Sequence, residues 1–268
     1  MVIKPKLLIF KLIRVLFMNI ANHFILFIIL LTPLSAISQN KKIEVYTELL
    51  SPYQTQDESG KLSGLSIDVF NALLELTGDT ASINVMPWAR AYQSVISTKN
   101  SMIFTIARTP NREKKFQWIG SIVENQSYFW GNKEHFKQKK LTFEELKNYN
   151  IVVSRDSNGH IFLKENNFPF IFPVVYEEQV IKMVYRKRID LLMSSTPTLL
   201  SLTKKLSINF DNLVPIHKTA GRNTKLSIAF NLSSDSSLVS RYLHAFEQLK
   251  SSGELAKLRE KWGVTSQF

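Results

Sequence analysis

The chain has 268 residues, 44% hydrophobic and 21% charged, an ordinary globular composition with enough apolar side chain for a sizeable core. It contains no cysteine, which excludes a disulfide scaffold, thiolate metal sites, a cysteine nucleophile and a cysteine-linked lipid anchor. The formal charge of +12 raises the question of nucleic acid. The basic residues are scattered, however, and no cluster of five or more interleaves with aromatics, so the surplus describes a solvated basic surface.

Residues 1–38 hold Lys4, Lys6, Lys11 and Arg14 and no acid. An apolar run from Phe24 to Leu31 follows, broken by Thr32 and Pro33, and then come Ala36, Ile37 and Ser38. This is the layout of a secretory signal cleaved after Ser38, which predicts a periplasmic, exported protein. The alternative is an uncleaved anchor from Leu16 to Ser35, which would carry Asn19, Asn22 and His23 into the bilayer. Cleavage removes four bases, so 30 remain against 22 acids and the mature charge is +8. Without cysteine, the mature chain is expected free in the periplasm.

Lys42–Tyr46 alternates and predicts an edge-entering strand. Ile67, Phe70, Leu73 and Leu74 recur at helical spacing, with Gly78 as the stop. Ile83–Met86 is a short strand, Trp88–Ser97 a helix entered by Pro87, and Ser101–Ala107 a nearly continuous apolar strand of the kind covered on both faces. This β-α-β-α-β order predicts a parallel layer. A second series starts after Tyr128–Gly131. Thr142 and Glu145 form a capping box, followed by strand Ile151–Val153, helix Ile161–Glu165 and strand Val174–Tyr176. Helix Glu177–Arg186, strand Leu191–Met193, helix Thr198–Lys205 and strand Leu213–Ile216 complete it. The tail predicts a strand at Lys225–Phe230, an amphipathic helix through Leu238, Tyr242, Ala245, Phe246 and Leu249, and a last helix at Glu254–Trp262. Two such series imply two lobes with a ligand cleft between them.

Four segments carry a resemblance. They are Gly60–Phe70, with Gly60, Gly64 and Asp68 spaced by four; Thr105–Arg112 followed by Phe116–Gly120; Arg188-Ile189-Asp190; and Ile228–Phe230 with Leu249–Gly263. In this order the chain resembles the family-3, amino-acid-type extracellular solute-binding proteins over about residues 41–263. Pro87-Trp88-Ala89-Arg90 with Ile106–Pro110 is similar to a divergent branch of that family. The resemblance implies an α/β, two-lobed type II periplasmic binding fold, each lobe a mostly parallel sheet flanked by helices, with two hinge crossings. Lobe 1 would be 39–130 plus 226–268 and lobe 2 131–225, with hinges near Trp130–Lys133 and Thr224–Ser227. Asp190 would be structural.

The same resemblance makes Arg112 the clamp for a ligand carboxylate, a task suited to the planar guanidinium fork. Thr105 could donate to a ligand oxygen, and Arg108 could be a second anion contact or a lobe–lobe salt bridge. Trp88 and Arg90 open a helix near the strand end, where they could stack on a ligand and meet an anion. Glu48 and Tyr53 lie on a loop that lines the cleft in this fold. Ser157 and Asn158 open a lobe 2 helix, where backbone N–H groups and a hydroxyl form a carboxylate site or a plain cap. Ser195 occupies the position where amino-acid binders of the family carry an acid for the ligand ammonium. Serine cannot neutralise an ammonium. A small anionic or carboxylate-bearing ligand is therefore favoured over a standard α-amino acid, unless Glu48 supplies the missing charge.

The expected function is capture of that ligand by hinge closure and delivery to an ABC importer. The alternative is a ligand-sensing protein that docks on a membrane receptor. Less favoured is a dehydratase-type enzyme on the same fold, for which Glu48 is the carboxylate available and His160 the histidine to watch. No metal, cofactor or nucleic-acid partner is expected, and the protein is expected to be a monomer.

Overall fold

In β1 (Lys42–Thr47) the residues Ile43, Val45 and Thr47 are buried, as the period-two pattern requires. The strand is not at an edge. It lies parallel between β4 (Thr80–Val85) and β5 (Ser101–Ala107), and all seven residues of β5 are buried. The computed structural model that shows this describes residues 42–137 and 139–264; the proposed signal at 1–38 lies outside them. A two-stranded hairpin, β2 (Thr55–Gln56) and β3 (Leu62–Ser63), precedes helix α1 (Leu65–Thr77). Gly64 enters that helix at φ 127°, and a Cβ there would sit 2.3 Å from the Tyr53 carbonyl oxygen. Only glycine fits. Gly78 ends the helix in the left-handed conformation, φ 71°. Helix α2 (Trp88–Ser97) has the predicted bounds.

The largest departures from the sequence reading are two long antiparallel strands, β6 (Phe116–Asn132) and β10 (Leu213–Asn231). The sequence shows only the ends of β10 as separate strands and leaves most of β6 unassigned. The polar middles, such as Glu124-Asn125-Gln126-Ser127, carry no strand pattern. They pass between two cores and face neither.

The second lobe contributes β7 (Ile151–Ser154), helix α3 (Asn158–Glu165), β8 (Ile171–Val174), helix α4 (Glu177–Tyr185), β9 (Leu191–Ser195) and helix α5 (Thr196–Lys205). The strand expected at Val174–Tyr176 lies three residues earlier. It is an edge strand, so Pro173 is tolerated in it, and Tyr176 becomes the residue before α4. The Thr142–Glu145 capping box forms, with Glu145 N–H donating to Thr142 Oγ1 at 3.3 Å. It opens one turn of 3-10 helix, Glu145–Asn148. Asp190 accepts from the backbone and side chain of Asn150, the structural role expected of it.

The sheet order is β4-β1-β5-β10-β6-β9-β7-β8. The outer three strands on each side are parallel, and the β6–β10 ribbon joins them. Among the described residues the buried apolar clusters segregate. Two draw on residues 43–123 and 226–264, and two on residues 129–216. This is the two-lobed α/β architecture expected. The sequence reading put the first crossing at Trp130–Lys133, whereas β6 takes β9 as partner from Ser127. At that crossing Gln126 Nε2 donates to the Thr219 carbonyl at 2.9 Å, and Thr219 Oγ1 donates to the Ser127 carbonyl at 2.7 Å.

The last helices, α6 (Ser236–Ser251) and α7 (Glu254–Lys261), close the first lobe. Asp68 on α1 accepts from Trp262 Nε1 and pairs with Lys261, both at 2.8 Å. Phe246 of α6 lies against Gly120 of β6, where an added Cβ would stand 2.1 Å from its ring. The ring is buried and cannot move away. Gly120→Ala is therefore expected to destabilise lobe 1 by about 1–3 kcal/mol through overpacking. Thermal melting should show a loss of roughly 2–4 °C per kcal/mol, and an unchanged melting temperature would refute this account of the contact.

Candidate functional site

The site begins with a bulge. Phe104 and Thr105 of β5 together face the single residue Ile228 of β10, because Ile106 pairs with Ser227 and Ile103 with Ala229. Thr105 takes φ 61°, a conformation costing about 1–3 kcal/mol outside glycine. The bulge turns the strand end. Its last carbonyl, on Ala107, accepts from Arg112 Nη1 at 3.2 Å. Thr105 does not offer its hydroxyl hydrogen to the cleft as the sequence suggested. It donates to Gln54 Oε1 at 2.8 Å and shares a 2.6 Å hydrogen bond with Ser66.

Arg112 is 3% exposed. Pro110 opens the short helical turn Pro110–Glu113 that carries it inward. Its guanidinium lies over the rings of Trp88 and Tyr92, 5.0 and 5.2 Å from their centroids. Burial lowers its pKa, with Tyr92 and Glu48 acting the other way. Arginine stays charged in such a setting, and the bond to Ala107 engages one of five donors.

Two other arginines proposed for the cleft are elsewhere. Arg108 turns to the surface, where it forms a two-pronged ion pair with Glu113 and lies 5.1 Å over Trp118. It bridges no lobes. Arg90 is exposed on the outer side of α2 and lines none of the cleft cavities. Helix periodicity explains this, since two residues beyond the inward Trp88 the helix surface points away.

From lobe 2, Ser157 caps α3 by accepting from His160 N–H at 3.2 Å, and both Ser157 and Asn158 line the cleft. His160 is buried beneath that turn. Its Nδ1 accepts from Asp156 N–H at 2.9 Å, and burial lowers its pKa. Ser195 caps α5, accepting from Thr198 N–H at 3.4 Å. Tyr53, expected to line the cleft, is instead fully buried in the lobe 1 core and lines neither cavity, because the aromatic ring packs inward; burial pushes its pKa up. The Tyr53 hydroxyl turns toward Ser195 but forms no well-directed hydrogen bond with it.

The structure adds an acid that the sequence reading missed. Glu177, the first residue of α4, accepts from Ser154 Oγ at 2.6 Å. An acid in a first helical turn looks like ordinary dipole pairing, and periodicity does not show that it is buried in a cleft. Glu48 approaches from lobe 1. Burial raises the Glu48 pKa well above 4.5; Glu177 adds to the rise and Arg112 opposes it. Burial raises the Glu177 pKa as well, against the Ser154 bond. Gln54 and Ser154 were also missed, for the same reason.

Glu48 and Glu177 line two cavities in common. The inner one, about 120 Å³, also holds Arg112, Trp88, Ser157 and Ser195. The outer one, about 460 Å³, runs between Val85–Pro87 and Val175–Gln179. Direct bonds cross the cleft around them. Trp88 Nε1 donates to the Asp156 carbonyl at 2.8 Å, Ser51 and Ser201 hydroxyls meet at 2.6 Å, and Asn111 donates to Glu165.

Comparison with known proteins gives a family. Residues 43–265 match the family described as bacterial extracellular solute-binding proteins, family 3. A relative from Mannheimia haemolytica, named arginine-binding periplasmic protein, is 22% identical over 227 residues, covering 84% of this chain and 92% of the relative. A solved histidine kinase sensor domain, described as similar to periplasmic binding proteins, superposes at TM-score 0.76 with 16% identity, covering 84% of this chain and 96% of that one. A variant of ArgBP from T. maritima superposes at TM-score 0.72 with 19% identity, covering 84% and 96%. At these identities the solved structures establish a shared fold.

The two acids are half-buried side chains that the cleft walls desolvate, and they set a pH dependence. A carboxyl whose folded pKa lies above its unfolded value of 4.5 costs no stability below that value. The cost grows as pH rises toward the folded value and is constant beyond it. Ligand-free Glu48→Gln should therefore melt above the parent at pH 7 and level with it near pH 4. Melting curves across this range check the point, and a variant that melts lower at pH 7 would contradict it.

Proposed function

Because the chain belongs to family 3 of the bacterial extracellular solute-binding proteins, we propose that it captures a small solute bearing both a carboxylate and a cationic amine. Its lobes close over that solute, and the loaded form is delivered to an ABC importer. The observation that carries this reading is the charge arrangement of the inner cavity. Arg112 offers its remaining donors on one side, and Glu48 and Glu177 stand opposite with raised pKa values. A carboxylate matches the guanidinium fork. An ammonium between the two acids would restore their ionisation and offset the burial cost of all three groups. This shifts the ligand from the anion favoured by sequence toward an amino-acid-like zwitterion. The name of the M. haemolytica relative, an arginine-binding periplasmic protein, supports an amino-acid ligand and a periplasmic location.

Ligand capture and closure are coupled through Trp88. Its ring lies on Arg112 while its N–H reaches the lobe 2 carbonyl of Asp156. A carboxylate that fixes Arg112 thereby fixes the residue that bridges the lobes. A receptor-docking role uses the same closed form, and the fold match to a sensor domain favours it as the second reading. ATPase stimulation of a reconstituted permease by loaded protein, against stimulation of a sensor kinase, separates the two.

The binding reading is tested by stripping ligand through unfolding and refolding, then recording thermal shifts with L-amino acids and with amine-free dicarboxylates. Amino acids should raise the melting temperature and amine-free dicarboxylates should not. Arg112→Met should weaken binding at least thirtyfold, as expected for about 2–5 kcal/mol lost with one partner of a buried charged pair. Trp88→Phe keeps a ring but loses the cross-cleft bond, and about 0.5–1.5 kcal/mol predicts two- to tenfold weaker binding by calorimetry. Equal response to amine-free dicarboxylates, or none to any amino acid, would overturn the proposal.

A further inference from the structure

The outer cavity narrows the ligand class, an inference that rests on the binding reading above. Its walls are apolar on both sides, with Leu49, Val85, Met86 and Pro87 from lobe 1 and Val175 and Leu202 from lobe 2. At about 460 Å³ it exceeds the inner cavity of about 120 Å³, so most of the cleft volume lies beyond the two acids. A compact head group fits the inner space, and a longer substituent would occupy the outer one.

The charge at the far end is not balanced. Glu178 sits there between two lysines, with Lys205 Nζ at 3.0 Å and Lys182 Nζ at 3.3 Å from its carboxylate. All three line the outer cavity. One carboxylate facing two ammonium groups leaves a surplus positive charge. Along the cleft the order is thus positive at Arg112, negative at Glu48 and Glu177, apolar through the outer cavity, and positive at Lys182 and Lys205. Ligands are selected by complementary order, and a like charge placed at the far end is disfavoured.

We propose that the ligand is an elongated α-amino dicarboxylate. Its α-carboxylate sits on Arg112, its amine lies between Glu48 and Glu177, and its methylene chain fills the outer cavity. The second carboxylate ends beside Lys182 and Lys205. A distal guanidinium or ammonium would meet the lysine surplus instead, so the cleft discriminates against arginine and lysine.

Four probes test the proposal on stripped and refolded protein by calorimetry. L-Alanine probes the head group alone, L-2-aminopimelate and L-2-aminosuberate carry the distal carboxylate, and L-arginine has similar length with a distal cation. The long diacids should bind at least tenfold more tightly than arginine. Replacing both lysines, Lys182→Met with Lys205→Met, should remove that preference and leave alanine binding within about twofold, because screened surface charges act locally. Glu178→Gln should enlarge the preference, which guards against a fold defect in the double variant. Leu202→Trp, which fills the outer cavity, should abolish binding of the long probes only. Arginine binding as tightly as aminopimelate, or a preference unmoved by the lysine and Glu178 changes, would overturn the inference while alanine binding keeps the head-group site standing. Binding of none of the probes would overturn both.

Discussion

A guanidinium held out of water is the constraint on which the cleft is built. Arg112 is almost fully buried, yet among the described residues it meets chiefly the Ala107 carbonyl, the rings of Trp88 and Tyr92, and the favourable influence of the Tyr92 hydroxyl and Glu48. Desolvating a charge on such terms is tolerable where the remaining donors meet an anion when the site is used. Its surroundings follow from that need. The β5 bulge aims the Ala107 carbonyl at the guanidinium, and the strain at Thr105 is held by the Gln54 and Ser66 bonds. Gln54 in turn donates to Thr47 Oγ1, so the strained residue is fastened to β1 and α1 alike. Trp88 and Tyr92 lie one helical turn apart on α2 and so present both rings to the same group.

Closure is a balance of small terms. The bonds that cross the cleft are few, and each neutral one contributes only about 1 kcal/mol net. Against them stand Glu48 and Glu177, one from each lobe, brought together by the same closure. A ligand shifts such a balance only through a difference in its contacts with the open and closed arrangements. A cation between the two acids has that property, because neither lobe alone provides both carboxylates. A closing motion would leave both cores intact, since the polar middle of the β6–β10 ribbon lies between the clusters and is tied across by Gln126 and Thr219.

Much of this was legible in the sequence, and the parts that were not share a cause. Helix periodicity located α1, α2, α4 and the tail helices, because each faces a single core along its whole length, and a continuous apolar run located β5, which is covered on both faces. The long strands escaped because their pattern changes where they leave one lobe for the other. At the site, the motif located Arg112, and chain order located Glu48, Trp88, Ser157 and Ser195 on the right loops. Local pattern could not distinguish Arg108 and Arg90 from Arg112. Which of three nearby arginines points inward depends on the Pro110 turn and on the phase of α2, both tertiary facts. Glu177 was hidden among the acids of a first helical turn.

That hidden acid resolves the difficulty posed by Ser195. Serine at that position caps α5 and faces Tyr53, and it brings no charge to the cleft. In the proposed complex the negative charge an ammonium needs would instead come from Glu177, on the neighbouring helix of the same lobe, and from Glu48 across the gap. The change is more than a relocation. A single acid within lobe 2 could hold an amine without lobe 1, whereas the Glu48–Glu177 pair would hold it only when the lobes meet. With the acid at the start of α4 and not at the α5 cap, the proposed amine would lie at the boundary between the two cavities that Glu48 and Glu177 share. The substituent would then point away from Arg112, into the apolar space beyond. In that arrangement the position of one acid would govern the charge recognised, the requirement for closure and the direction in which the ligand extends.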